Sequence, residues 1–287
     1  MQLKKMVQLV LSCVLAGALF TGCGGDKGDN RSSDDKVKLG MISQMNATET
    51  QMGGIYNKLI EEAGMKMPKH QPKFYESLTL MQMGIESEDV SEISVYQCVA
   101  DYIIATNDKF EIVPNEAINK LIDSFCFAVR KEDTALKSDL DKVIGEMKQD
   151  GTLDNLITEY ITHVSKGQNP PSVEIPVIEG ADKIKVGVTG DLPPLDLVLS
   201  DGTPAGFNTA MLAEIAKRLD KNIEIVQIDS GARAIALTSK MIDVVFWAII
   251  PFGNSDIPSD IDKPEGLELS TPYFKDNIAH IRFKSNK

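Results

Sequence analysis

Cysteine, histidine and tryptophan are scarce in this 287-residue chain, at four, three and one residues. Cys13 and Cys23 lie near the amino terminus, so only Cys98 and Cys126 are left for a folded body. Without CxxC spacing they make neither a metal nor a redox site, and read as buried apolar thiols or as one disulfide. His70, His163 and His280 show no metal-ligand spacing, so neither a metal nor a cofactor is expected. GxSxG, a P-loop and a Cys–His pair are all missing, which argues against an enzyme. Basic residues are outnumbered, 30 against 42 acidic, and the net charge of −12 argues against a nucleic-acid partner. No apolar run is long enough to span a bilayer comfortably.

The amino terminus has targeting character. Lys4 and Lys5 precede an apolar run from Met6 to Phe20, and Thr21-Gly22 places small residues before Cys23. That ending resembles the bacterial lipobox, with Phe20 in place of the more usual Leu. The expected product starts at Cys23, which carries more than one acyl chain, as stable anchoring requires. Residues 1–22 are then the signal peptide, and 23–35 (Gly24 to Asp35 reading GGDKGDNRSSDD) a polar tether. Loss of Lys4 and Lys5 takes the formal charge from −12 to −14. The implied location is the extracytoplasmic face of the cell membrane.

From Lys36 short strands alternate with longer helices, so the fold class is α/β. Val37, Leu39 and Met41 alternate as a strand, and Glu49 to Gly64 has a helical apolar face. Pro68 to Lys73 reads as a turn, Phe74 to Met83 as a helix, and Ile93 and Val95 as a strand leading into a helix from Cys98. Phe125 to Val129 is a short apolar strand. A helix opening at Asp133 or Thr134 carries Leu136, Leu140, Val143, Ile144 and Met147 on one face, and Gly151 ends it. Ser165 to Asp182, with Pro170, Pro171 and Pro176, reads as an extended linker. The pattern then restarts: a strand to Gly190, a Pro/Gly-rich loop over 192–207 and a helix from Thr209. A strand at Ile223, a short helix at Arg233, an apolar strand over 244–250 and a last strand over 277–283 follow. An almost wholly apolar run such as 244–250 suits a buried parallel strand. The methionines crowding the first block, such as Met41, Met52 and Met81, read as adaptable core filling.

Gly187-Val188-Thr189-Gly190-Asp191-Leu192-Pro193-Pro194-Leu195, then Asp201-Gly202 and Pro204-Ala205-Gly206-Phe207-Asn208, resemble the opening of bacterial solute-binding proteins of family 3. Ser239-Lys240-Met241-Ile242-Asp243-Val244-Val245 and Ser270-Thr271-Pro272-Tyr273-Phe274 continue the resemblance in order. In the first block, 127–133 (FAVRKED) and 147–153 (MKQDGTL) resemble the end of that family, and 38–50 and 90–102 its second lobe. The implied fold is the two-lobed type II periplasmic-binding-protein architecture, each lobe a central sheet flanked by helices, with hinge strands between lobes. The segments stand out of the usual order. Residues 36–131 correspond to a second lobe, 132–164 to closing helices packing on the other lobe, 165–182 to a linker and 183–287 to a first lobe. Either the chain is one circularly permuted body or it holds two decayed tandem domains. Complementary halves would cover the strand edges that half-domains leave open.

The resemblance implies a ligand in the inter-lobe cleft, at loops following parallel strands, with hinge closure. The candidates are Asp191, Leu195, Trp247 and Ile250 from one lobe and Ser43, Asn46 and Tyr96 from the other. Three positions depart from the family. Its carboxylate-clamping arginine falls on Ser255, its ammonium-holding aspartate on Tyr96, and the aromatic after the paired prolines on Leu195. Ser230-Gly231-Ala232-Arg233, however, matches the Ser-x-x-Arg of the branch that binds acidic amino acids. Arg233 reads either as a ligand contact or as a solvent-facing cation, and Trp247 as core or as cleft lining. The expected function is a monomeric, lipid-anchored solute-binding component of an ABC importer. It would take a small polar, amino-acid-like ligand and dock on a permease. The alternative is a sensory or interaction lipoprotein that kept the fold and lost amino-acid transport.

Overall fold

The computed structural model describes residues 36–284 other than 66–67, 116, 172 and 253–256, and not the side chain of Phe252. Cys23, where lipidation was expected, the expected tether and Ser255 lie outside the described residues.

The first block opens with β1 (Val37–Ile42) and α1 (Glu49–Glu62). Thr48 caps α1 in a capping box with Gln51, each side chain accepting from the other's backbone N–H. β2 (His70–Tyr75) and α2 (Leu78–Glu86) follow, where a turn and an earlier helix start were expected. Pro72 is tolerated because β2 is an edge strand, and Ser77, which accepts from Leu80 N–H, fixes the start of α2. Then come β3 (Glu92–Tyr96), α3 (Gln97–Thr106), β4 (Phe110–Ile112), β5 (Ile122–Arg130) and α4 (Thr134–Gln149). Gly151, at φ 79°, turns the chain from α4 into α5 (Thr152–Leu156), which runs on into a π-helical turn over Ile157–Thr162.

The second block holds β6 (Lys183–Val188), a small antiparallel sheet of β7 (Asp191–Leu192), β8 (Asp196–Val198) and β9 (Pro204–Ala205), and α6 (Gly206–Leu219). The Pro/Gly-rich stretch over 192–207 is therefore not wholly loop. β10 (Asn222–Gln227), α7 (Arg233–Thr238), β11 (Val244–Phe252), β12 (Leu267–Leu269) and β13 (Phe274–Phe283) complete it. No helix among the described residues is long and apolar enough to cross a membrane.

Two strands exchange partners between the blocks. β5, from the first block, lies antiparallel to β11 and β12 of the second. β13, from the second, lies antiparallel to β3 and β4 of the first. The lobes accordingly repeat one order, β2-β1-β3-β13-β4 and β10-β6-β11-β5-β12. β5 and β13 also pair with each other, Phe274 opposite Phe125 and Asp276 opposite Asp123, so one ten-stranded sheet runs through both lobes. In each lobe three parallel strands are flanked by helices, the α/β two-lobed class expected, with β5 and β13 as the crossing strands.

Side chains close the exchange. Arg130 on β5 is buried and donates to the carbonyls of Leu237 and Ile242 and to Asp243 in the second block. On α6, Arg218 pairs with Asp150 and donates to Thr152 beyond α4. The end of the 165–182 stretch is tied to β10, because Asn222 exchanges hydrogen bonds with Ile178 and donates to Ala181. Cys98 and Cys126 are free and buried, so the disulfide alternative is not realised.

Candidate functional site

The lobes meet at the carboxyl ends of their parallel strands, and an arginine occupies the seam. Arg233 opens α7 yet is only 1% exposed, which removes the solvent-facing alternative. Its Nε donates to Ser230 O at 2.9 Å, Nη1 to Trp247 O at 2.9 Å, and Nη2 across the seam to Ser43 O at 2.8 Å. Nη1 and Nη2 each reach an oxygen of Asp262 at 3.2 Å. The guanidinium carbon sits 3.9 Å from the Trp247 ring centroid. Trp247 lies where β11 gains one residue relative to β5, a bulge that re-aims its side chain. It is both core and seam.

Asp262, 0% exposed, also accepts from Ile249 N–H at 3.0 Å and, from the other lobe, Met45 N–H at 2.7 Å. Burial pushes its carboxyl up from the ordinary range, against the pull of Arg233 and the two amides. One bidentate guanidinium and two backbone N–H groups form a donor set suited to a carboxylate. Asn46 secures the segment, its side chain donating to Asp260 O and its N–H to Ile261 O.

Behind this pair lies a partly open cavity of 40 Å³, lined by Tyr96, Tyr56, Ser94, Asp123, Ile257 and Ile261 among others. Asp123 is the carboxyl of the crossing strand β5. Burial, then neighbouring Asp262, push it up to about 7, with Tyr96 partly opposing. On the outer side is an open groove of 840 Å³ bordered by Asp191, Thr189, Gln227, Asp229, Glu76 and Ser77. Asp191 accepts from Thr79 N–H at the start of α2, 3.2 Å across the seam. In return Glu76 accepts from Gly231 N–H at 2.6 Å, and its backbone carbonyl from Ser230 N–H. Gly190, at φ 75°, places Asp191, because a Cβ there would come within 2.8 Å of Val198.

The sequence candidates therefore divide. Arg233, Trp247, Ser43, Ser230 and Asn46 gather at the seam; Asp191 borders the outer groove and Tyr96 the inner cavity. Leu195 is buried in the core and Ile250 packs against a neighbouring cluster, and neither lines a described cavity. Asp262, Glu76 and Asp123 were not singled out. Asp123 alone left a signal, a carboxyl inside an otherwise buried strand reading IDSFCFAVR. Asp262 lies in a polar loop that gives none.

The histidines that spacing left scattered do not all stay apart. His70 and His280 lie with ring centroids 5.4 Å apart, beside Glu92. Burial, then the adjacent His280, push His70 down to about 4, so its imidazole is neutral at neutral pH. Burial opposes charge on Glu92, but His280 and His70 hold its carboxyl below the usual range.

Residues 184–251 match the model of bacterial extracellular solute-binding proteins, family 3. The matched stretch runs from β6 to β11 and contains the Gly187-to-Asn208 and Ser-x-x-Arg segments. Similar solved structures include the ligand-binding component of an ABC-type import system from Staphylococcus aureus with zinc bound. It is 9% identical with a TM-score of 0.43, and the match covers 87% of this chain and 66% of that one. Others are the effector-binding domain of QuiR in complex with shikimate (9% identity, TM-score 0.41, 88% and 90% covered) and a periplasmic substrate-binding protein of an ABC transporter from Coxiella burnetii (11%, 0.40, 86% and 84%). No curated protein matches the chain at a significant level.

Proposed function

We propose that this chain is the extracytoplasmic solute-binding lipoprotein of an ABC importer, anchored through Cys23, monomeric, and docking on a permease once a ligand has closed its lobes. The family match over β6 to β11 and the two crossing strands support that reading. The strand exchange also supports one permuted body over two tandem domains, since each lobe takes its fourth sheet position from the other block.

The observation that carries the ligand class is the cage around Asp262. Arg233, Ile249 N–H and Met45 N–H converge on one carboxylate from both lobes. The ligand is a small carboxylate, amino-acid-like or dicarboxylic, that takes the place of Asp262 when the 257–262 segment withdraws. Ligand carboxylate and Asp262 compete for the same donors, which lowers the affinity of the intact protein. Titration calorimetry of the wild type and of Asp262→Ala against glutamate, aspartate and C4 dicarboxylates tests this. Tighter binding by the variant is expected; a variant blind to every carboxylate refutes the ligand class.

A second reading, a sensory or interaction lipoprotein without transport, draws on the same contacts. All of the Arg233 nitrogens already have partners inside the chain. Capture of a protein partner by a ligand-free form that binds no carboxylate would favour it.

A further inference from the structure

Beneath α1, His70 on β2, Glu92 on β3 and His280 on β13 project from one face of the sheet toward Tyr56. They are 3%, 4% and 0% exposed. Neither ring nitrogen of either histidine has a hydrogen-bond partner, and Glu92 Oε2 has none. Buried polar groups are ordinarily paired, so five unpaired donor or acceptor atoms at one point need an explanation. One ligand atom from each residue lies within 4.8 Å of the others, and Glu92 Oε2 is 3.8 Å from His280 Nδ1.

We propose that His70, Glu92 and His280 bind a divalent transition-metal ion, zinc(II) by preference. Two imidazoles and one carboxylate are a zinc-type donor set, whereas calcium and magnesium take oxygen almost exclusively. Donor atoms around a tetrahedral zinc stand about 3.4 Å apart, so the three side chains draw in by about 1 Å. Tyr56 packs on both imidazoles, its ring centroid 6.3 Å from that of His70 and 5.9 Å from that of His280. Asn57 fixes the strand that carries His70, exchanging hydrogen bonds with its N–H and carbonyl. Three protein donors leave one position for water.

The site is distant in role from the seam. His70 pairs with Val37 at the start of β1, Glu92 opens β3, and the seam lies at the other ends of these strands. Its ion joins strands β2 and β3 of the first block to β13 of the second. The function is structural, a fastening of the strand exchange, and independent of the ligand class proposed above.

The test uses the untagged full chain, stripped with a chelator, loaded with zinc(II) or cobalt(II), desalted and analysed for metal. Retention of one equivalent is expected, with a thermal midpoint raised by roughly 5 °C or more. Cobalt should give the strong visible bands of a four-coordinate centre, and its paramagnetically shifted proton spectrum should show two imidazole N–H signals. These readouts need no variant. A His70→Asn/His280→Asn double variant is expected to lose retention while Tyr56→Phe keeps it, with circular dichroism reporting the fold of each. A wild-type chain that retains no metal and shows no thermal shift overturns the proposal. So does a folded double variant that still holds a full equivalent.

Discussion

Arg233 and Asp262 face each other with two nitrogen–oxygen separations of 3.2 Å, in a position that water does not reach. Removing one partner of such a pair strands a buried charge. Asp262→Ala is expected to cost about 3–5 kcal/mol, whereas Arg233→Met/Asp262→Leu together cost little. Urea unfolding of the three proteins measures both values. Added acetate should restore part of the loss in Asp262→Ala and none in the double variant.

Asp191 and Glu76 are reciprocal acceptors, each receiving a backbone N–H from the opposite lobe. Glu76 is exposed and Asp191 half-buried, so water competes with both bonds. Asp191→Ala and Glu76→Ala should each favour separated lobes by about 1 kcal/mol, a several-fold shift in population. Spin labels on the two lobes would show a longer distance distribution in each variant. An unchanged distribution in both would remove the latch.

Asp123 gives the fold a pH dependence. Its carboxyl titrates at about 7 in the fold and near 3.8 when unfolded, so the folded state binds the extra proton between those values. Its contribution is present below pH ~4 and is lost as pH rises toward 7. Asp123→Asn should therefore match the wild type near pH 4 and exceed it in thermal midpoint by pH 7.5. His70 runs the other way, since its folded value near 4 lies below the ordinary 6.5 and its contribution is lost as pH falls through that window. Calorimetric midpoints of both proteins across pH 4 to 8 would separate the two, and a constant difference would refute the assignment to Asp123.

Fragments should reveal the interlocking. Residues 36–164 and 183–284, expressed apart, each lack the strand that pairs with their central sheet. Alone they are expected to give weak near-ultraviolet dichroism; mixed, they should form a one-to-one complex on size exclusion. Two independently folded fragments would restore the tandem-domain alternative.

Much of this architecture was legible from residue pattern. The amphipathic stripe of α4 and the apolar run of β11 announced themselves because their partners bury one face or both. β2 was missed because Pro72 and Lys73 imitate a turn, and only its place at the sheet edge makes Pro72 acceptable. At the seam, Arg233 was visible through the Ser-x-x-Arg spacing. Its partner was not, since Asp262 is joined to it through tertiary geometry across 29 positions. The same holds for His70 and His280, which 210 residues separate and one sheet unites.

The crossing of β5 and β13 sets a condition on biosynthesis. The strand that completes the lobe made first, β13, follows every other strand in the chain. The first block therefore cannot complete its sheet until β13 has been made, after all the strands of the second block's sheet. A break in the chain just before β13 would harm the amino-terminal lobe first.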